Sequence, residues 1–250
     1  MSALADRLGQ AEARHSLPPG AIRIELMIET PQNIIDSTGT CGIPQLLDAA
    51  QGRCRGLHFG PYDYSASCNI AAAEQRLDHP ACDFARHVLQ VSAADHGVFL
   101  SDGPSTILPI PPHRAAANEE QKAENRAVVQ RAMRHHFDLV QRSLAHGYYQ
   151  GWDLHPGQLP TRYAAVYAFF LKSLEAATAR LRNFIDKAAQ ATLVGDVFDD
   201  AATGQGLLNF LLRGVNCGAF TEQEASASGL AIHELHGRSF EKIMENRRKT

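Results

Sequence analysis

Residues 22–31, IRIELMIETP, decide the fold, and residues 56–65, GLHFGPYDYS, follow the same pattern. Each segment is a short apolar run that ends in a carboxylate. The run from Ile22 to Ile28 has the length and the β-branched content of a buried strand. Pro31 ends it, so Glu29 lies at or just past the carboxyl end of the strand. Gly60-Pro61 ends the second run, and Asp63 follows in the turn.

The segment between the two runs has a helical pattern over residues 42–50. Strand, helix and strand at this spacing predict a βαβ unit with two parallel strands. Glu29 and Asp63 would then project from the same edge of the sheet. Paired oxygen ligands suit a hard cation such as Mg2+, which keeps several waters and takes other ligands from its substrate. The alternative is that Glu29 caps a helix or pairs with an arginine.

The pattern predicts four strands, at about 22–28, 55–59, 98–101 and 151–154, which alternate with helices. Asp78 is the predicted N-cap of a helix in which Phe84, Val88 and Val91 lie on one face. Asp102 follows the third strand, again at the carboxyl edge. Long helices are predicted over residues 119–146 and 161–190. Four βα units amount to half of an eight-stranded barrel.

Composition limits the function classes. The 250 residues are 44% hydrophobic and 20% charged, with a formal net charge of −3. This charge gives no electrostatic case for a nucleic-acid partner. The sequence has no apolar run near 18 residues, so we expect no membrane span. The five cysteines form no Cys-x-x-Cys pair and are odd in number, which favours a reducing cytoplasm over a disulfide framework.

Taken together, the segment ELMIET and the later FGPYD resemble the HpcH/HpaI aldolase and citrate lyase β-subunit family. Members of that family are TIM barrels of the phosphoenolpyruvate/pyruvate superfamily. The resemblance implies that Glu29 and Asp63 are ligands of one Mg2+ or Mn2+ ion. It also implies that the backbone around Gly60 and Pro61 contacts the substrate oxygens that the ion binds.

Two downstream segments extend the resemblance. Residues 151–158, GWDLHPGQ, resemble the last-strand motif that lines the barrel mouth. Gly195 and Asp199 match a lid segment, although Ala201 replaces its proline. The resemblance implies that Asp199 acts as an acid or base, and the alternative is a solvated helix cap. Asp102 could contact substrate or support the site from behind, with loop capping as the alternative.

The family's Glu-bearing strand is the fifth of eight, and an arginine on an earlier strand grips the substrate. Only about 20 residues precede the first strand here, so we expect the last four βα units plus C-terminal helices. The predicted division is residues 1–160 as this half-barrel and residues 161–250 as a helical extension or lid. The expected partner is a second copy of the chain or a missing N-terminal half.

The function implied by the resemblance is a Mg2+-dependent carbon–carbon lyase, similar to aldolases and citrate lyase. Its substrate would be a 2-oxo or 3-hydroxy acid or the corresponding CoA thioester. One alternative is a catalytically inert half-barrel or regulatory partner that retains the family signature. Another is a metal-dependent hydrolase, which the lack of clustered histidines at the strand ends disfavours.

Overall fold

A computed structural model describes residues 1–194 and 201–248 of the chain. The chain forms two compact units, residues 1–162 and residues 163–250. No helix within the described ranges is long and apolar enough to span a membrane. Asp199 and Gly195, the predicted lid residues, lie outside the described residues.

The first unit is built on a four-stranded sheet in which every neighbouring pair of strands is parallel. The strands follow one another in chain order and are β1 (Ile24–Ile28), β2 (Cys54–Phe59), β3 (Phe99–Asp102) and β4 (Gln150–Gly151). All four predicted strands are therefore present, in a mixed α/β unit.

The fourth strand is shorter than predicted and lies at residues 150–151 instead of 151–154. The reason is the turn that follows it. His155 caps a short 3-10 helix over Pro156–Gln158. The Gln158 side chain accepts hydrogen bonds from the N–H groups of Leu154 and His155, which a longer strand would have given to the sheet.

Helices precede, connect and follow the strands of the first unit. They are α1 (Ser2–Arg14), α2 (Pro31–Ile34), α3 (Ile43–Ala49), α4 (Pro61–Ser67), α5 (Pro80–Ala93), α6 (Glu119–Ala145) and α7 (Leu159–Val194), the last of which continues into the second unit. The α3 and α5 helices pack together on one face of the sheet, where Ile28, Leu57 and Phe59 are fully or almost fully buried.

The N-cap of α5 differs from the prediction. His79, not Asp78, is the N-cap, since its Nδ1 accepts the N–H of Ala81 at 3.1 Å. Asp78 instead forms an ion pair with Arg76.

The face of α5 that carries Phe84, Val88 and Val91 is largely exposed: Phe84 is 51% and Val91 80% exposed, and only Val88 packs against the core. The helix instead turns Ala85, Arg86 and Leu89 inward. This rotation brings Arg86 to a carboxylate of the sheet, described below.

The opposite face of the sheet carries charged and partly exposed apolar side chains. The strand register places Glu25, Met27 and His58 on this face, with Phe99 beside them on β3. Met27 is 42% and Phe99 39% exposed, although both are large apolar side chains. In an eight-stranded barrel this face would point to the interior.

The second unit is helical. It contains α8 (Ala201–Asn216), α9 (Glu222–Ala225), α10 (Ile232–His236) and α11 (Phe240–Arg248). Its core is rich in phenylalanine and leucine, including Phe170, Leu208 and Phe240. At the start of α9 the Thr221 hydroxyl accepts the N–H of Glu224, and the Glu224 carboxylate accepts the N–H of Thr221, the reciprocal pattern of a capping box.

Candidate metal centre

The structure brings together the two carboxylates on which the predicted site depends. Glu29 directly follows β1, and Asp63 lies in the first turn of α4, directly after β2. Since β1 and β2 are parallel neighbours, both side chains emerge at the carboxyl edge of the sheet. The pKa of the Glu29 carboxyl is raised by burial, by the charge of Asp63 and by a hydrogen bond with Asp63.

Gly60 makes room for this contact. Its N–H donates to the carbonyl of Ile28 at 3.0 Å, so Gly60 lies beside Glu29 across the two strands. A Cβ atom at position 60 would lie 2.6 Å from the Cβ of Glu29 and 2.8 Å from its Oε2. Any side chain there would therefore displace the Glu29 carboxylate.

The carboxylate pair fits a divalent cation. Two carboxyl groups in contact either share a proton or need a positive charge, because two negative charges at this distance repel. Mg2+ and Mn2+ accept carboxylate oxygens and leave other positions to water and substrate. Among residues 1–194 and 201–248, no group of three or more His, Cys, Asp or Glu side chains is arranged to hold a metal. Glu29 and Asp63 would therefore supply two ligands of an open site.

The loop after β3 packs beside the carboxylate pair. A Cβ atom on Gly103 would lie 2.4 Å from the ring of Pro61, so these two residues meet without space between them. The Tyr62 hydroxyl donates to the carbonyl of Pro104 at 2.9 Å and accepts the N–H of Thr106. Gly60 and Pro61, predicted to contact substrate, are thus observed as packing residues, and the substrate contact stays a prediction.

Asp102 lies at the predicted edge but is only 2% exposed. Its Oδ2 is 2.8 Å from Nη2 of Arg86 and accepts a hydrogen bond from the Ser143 hydroxyl. Its Oδ1 accepts the N–H of Gly103 at 3.0 Å. Both carboxylate oxygens are therefore engaged within the protein. The Gly103 contact holds the start of the loop after β3, and the substrate contact of Asp102 stays a prediction.

The segment after β4 is held by a second buried carboxylate. Asp153 contacts His136 of α6 at 3.1 Å and Arg162 of α7 at 2.7 Å. Burial raises the pKa of Asp153, but the hydrogen bonds from His136 and Arg162 outweigh it and lower the pKa to about 2. Gln158 joins this segment to the loop after β3 by donating to the carbonyl of Ser105.

Sequence reasoning missed three paired groups. Arg86 with Asp102 and His136 with Asp153 are each joined by contacts between distant segments, which no local motif reveals. The third pair had a detectable signal. Glu25 stands four residues before Glu29 and His58 two before Gly60, so strand alternation places both on the metal side of the sheet.

The comparisons with solved structures concern the fold. A citrate lyase from Burkholderia xenovorans LB400 has a TM-score of 0.57 and 17% identity, with 91% of this chain and 63% of that chain covered. A malate synthase from Haloferax volcanii, in a lead(II) complex, has a TM-score of 0.46 and 15% identity, with coverages of 86% and 58%. The chain thus spans less than two thirds of the length of either protein.

The similarity to the citrate lyase supports a fold of the TIM-barrel type and carries nothing beyond the fold at this identity. The expected restriction to the last four βα units and the specific HpcH/HpaI membership stay predictions. No curated protein matches the chain. The model of a family described as a domain of unknown function, DUF6986, matches residues 1–243, and the chain belongs to that family.

Proposed function

We propose that this chain belongs to a metal-dependent carbon–carbon lyase that acts on a 2-oxo or 3-hydroxy acid or its CoA thioester. The observation that carries the proposal is the contact between Glu29 and Asp63 at the carboxyl edge of two parallel strands. In barrels of this type, substrates bind at this edge. The fold shared with a citrate lyase supports the same reading.

A bound Mg2+ or Mn2+ ion would supply positive charge beside the substrate oxygens, which stabilises negative charge as the carbon–carbon bond breaks. Glu29 and Asp63 hold the ion, and Gly60 keeps the space that the Glu29 carboxylate occupies. Pro61 and Gly103 pack together and fix the first turn of α4, from which Asp63 projects. We carry forward Asp199 as a proposed acid or base and Gly60-Pro61 as a proposed substrate contact.

The direct test is Mn2+ binding. Calorimetry measures it, and so does the decrease in the electron paramagnetic resonance signal of free Mn2+. The wild-type chain should bind one Mn2+, and Glu29→Gln and Asp63→Asn should each weaken binding at least ~10-fold, since second-sphere changes alone reach that size. Asp48→Asn is the matched control, because Asp48 is a carboxylate whose side chain is 79% exposed at the end of α3. Unchanged affinity in either site variant would remove the proposal.

The affinity should also depend on pH. Metal binding requires the ionised carboxylate, and the pKa of Glu29 is raised above its ordinary value. The proton therefore competes with the ion over a higher pH range than for an ordinary glutamate. We expect Mn2+ affinity to fall as the pH drops through this raised pKa.

The inert or regulatory half-barrel remains the second candidate, favoured by the exposed sheet face. Met27 and Phe99 are partly open to solvent there, and β1 and β4 pair on one side only within the described residues. The proposed partner is a second copy or an N-terminal half-barrel. Turnover only after mixing with such a half would place this chain as one part of a split lyase.

A further inference from the structure

A histidine and a glutamate form a pair on the same sheet face as the metal carboxylates. The Nε2 atom of His58 lies 2.6 Å from Oε2 of Glu25. The register pairs Met27 with His58, and Glu29 with Gly60 comes next along the strands. His58 is thus one side-chain row below Glu29, about 7 Å along the strand at about 3.3 Å per residue.

The contacts that hold the His58 ring come from the side that faces away from Glu29 and Asp63. Glu25 and Phe99 both belong to the row of Gly56, away from the carboxyl edge. The Phe99 ring covers Gly56 and meets the His58 ring edge-on, with centroids 6.0 Å apart. Toward the metal carboxylates, the next residue on β2 is Gly60, which has no side chain. The Glu29 side chain and the Sδ atom of Met27 lie beside Gly60, in the row above His58.

Glu25 also sets the tautomer of the histidine. An ionised carboxylate only accepts hydrogen bonds, so the neutral His58 ring donates from Nε2 and keeps the lone pair on Nδ1. Met27 and Ser101, its neighbours in the same row, carry no charge. Among the described residues, Glu25 is the charged group that contacts the ring. A carboxylate that orients a neutral imidazole is the arrangement of a general base.

We propose that His58, oriented by Glu25, is the proton acceptor of the lyase reaction; this rests on the proposed function. In cleavage of a 4-hydroxy-2-oxo acid, His58 takes the hydroxyl proton as the O–H electrons form the aldehyde carbonyl. The electrons of the broken carbon–carbon bond pass to the 2-oxo acid as its enolate. His58 then returns the proton to the enolate carbon, so no other reactant is needed.

The test uses oxalate, a mimic of the enolate of a 2-oxo acid, with the Mn2+-loaded full chain. A proton acceptor beside the bound anion should become protonated, because a nearby negative charge favours the imidazolium. Calorimetry in two buffers of different ionisation enthalpy, at about pH 8, measures this proton uptake. We expect proton uptake on oxalate binding in the wild type and close to none in His58→Gln.

Glu25→Gln should reduce the uptake, because it removes the charge that favours the imidazolium. His96→Gln is the matched control. His96 lies 3.7 Å from Asp48, a residue at the end of α3. The His96→Gln variant should take up as many protons per bound oxalate as the wild type. An exposed pair such as His58 and Glu25 adds little to stability, so all three variants should fold.

Exchange of the methyl protons of pyruvate in D2O, followed by NMR, gives a second readout. His58→Gln should exchange at least ~100-fold more slowly than the wild type, the usual size of a general-base effect. Equal proton uptake, or equal exchange rates, in the wild type and His58→Gln overturn the assignment of His58. So does a wild type that binds Mn2+ but not oxalate. A wild type that binds no Mn2+ instead overturns the proposed function, so the two failures differ.

Discussion

Substitution of Gly60 by alanine changes the candidate centre by a single methyl group. Gly60 has a φ of −98°, so it does not occupy the left-handed region that favours glycine. The added methyl group would lie 2.6 Å from the Cβ of Glu29 and 2.8 Å from its Oε2. Carbon atoms in contact are about 3.5–4.0 Å apart, so Glu29 must move by roughly 1 Å or more.

This movement separates Glu29 from Asp63. Overpacking of this kind costs about 1–3 kcal/mol in stability, which a folded domain tolerates. The expected loss of Mn2+ affinity is at least ~10- to 100-fold, because a displaced ligand loses more than a displaced neighbour of a ligand. Gly60→Ala should therefore fold and yet bind Mn2+ weakly.

The assay is calorimetric titration with Mn2+, beside thermal unfolding of the same samples. Gly9→Ala is the control, since a Cβ at position 9 in α1 would make only an ordinary contact of 3.5 Å with Arg53. Gly60→Ala with wild-type affinity would refute the placement of Glu29 against Gly60. Loss of affinity in Gly9→Ala as well would show that the assay reports general damage.

Three other predictions concern the fold. Arg86→Met should cost about 3–5 kcal/mol, because it leaves the buried Asp102 without its charge partner; denaturant unfolding measures this, and a loss below about 1 kcal/mol contradicts it. A hydrogen bond from Arg53 and one from the Ile22 N–H lower the pKa of Glu12 to about 2 from 4.5. Its stabilisation should be complete above pH 4.5 and vanish as the pH falls through about 2, so a Glu12→Gln deficit constant with pH would contradict it. The wild type should self-associate in sedimentation and Phe99→Lys less so, because the sheet face is exposed, whereas a monomeric wild type would exclude this.

The strands and the carboxylate pair could be predicted because both depend on local sequence. A short run rich in β-branched residues, such as residues 24–28, favours a strand, and the proline after it marks where the strand ends. Parallel neighbours then place Glu29 and Asp63 at one edge without further information. The bounds of the short β4 were predicted less accurately. The Gln158 side chain, not local propensity, ends this strand.

The groups that support the site could not be predicted in the same way. Arg86 looks like a solvent-facing residue of an amphipathic helix, and only its distant partner Asp102 explains its burial. The pairing of His58 with Glu25 depends on the register between β1 and β2, which shifts at a bulge between Ile24 and Glu25. A one-residue change in that register would turn His58 to the other face of the sheet.

The most direct measurement of the central claim is anomalous diffraction from crystals of the chain soaked in Mn2+. The account predicts one strong peak between Glu29 and Asp63, with one oxygen of each about 2.0–2.3 Å from the ion. Ordered water or added oxalate should complete the coordination. A peak only at other residues, or carboxylates that point apart at saturating Mn2+, would contradict the account.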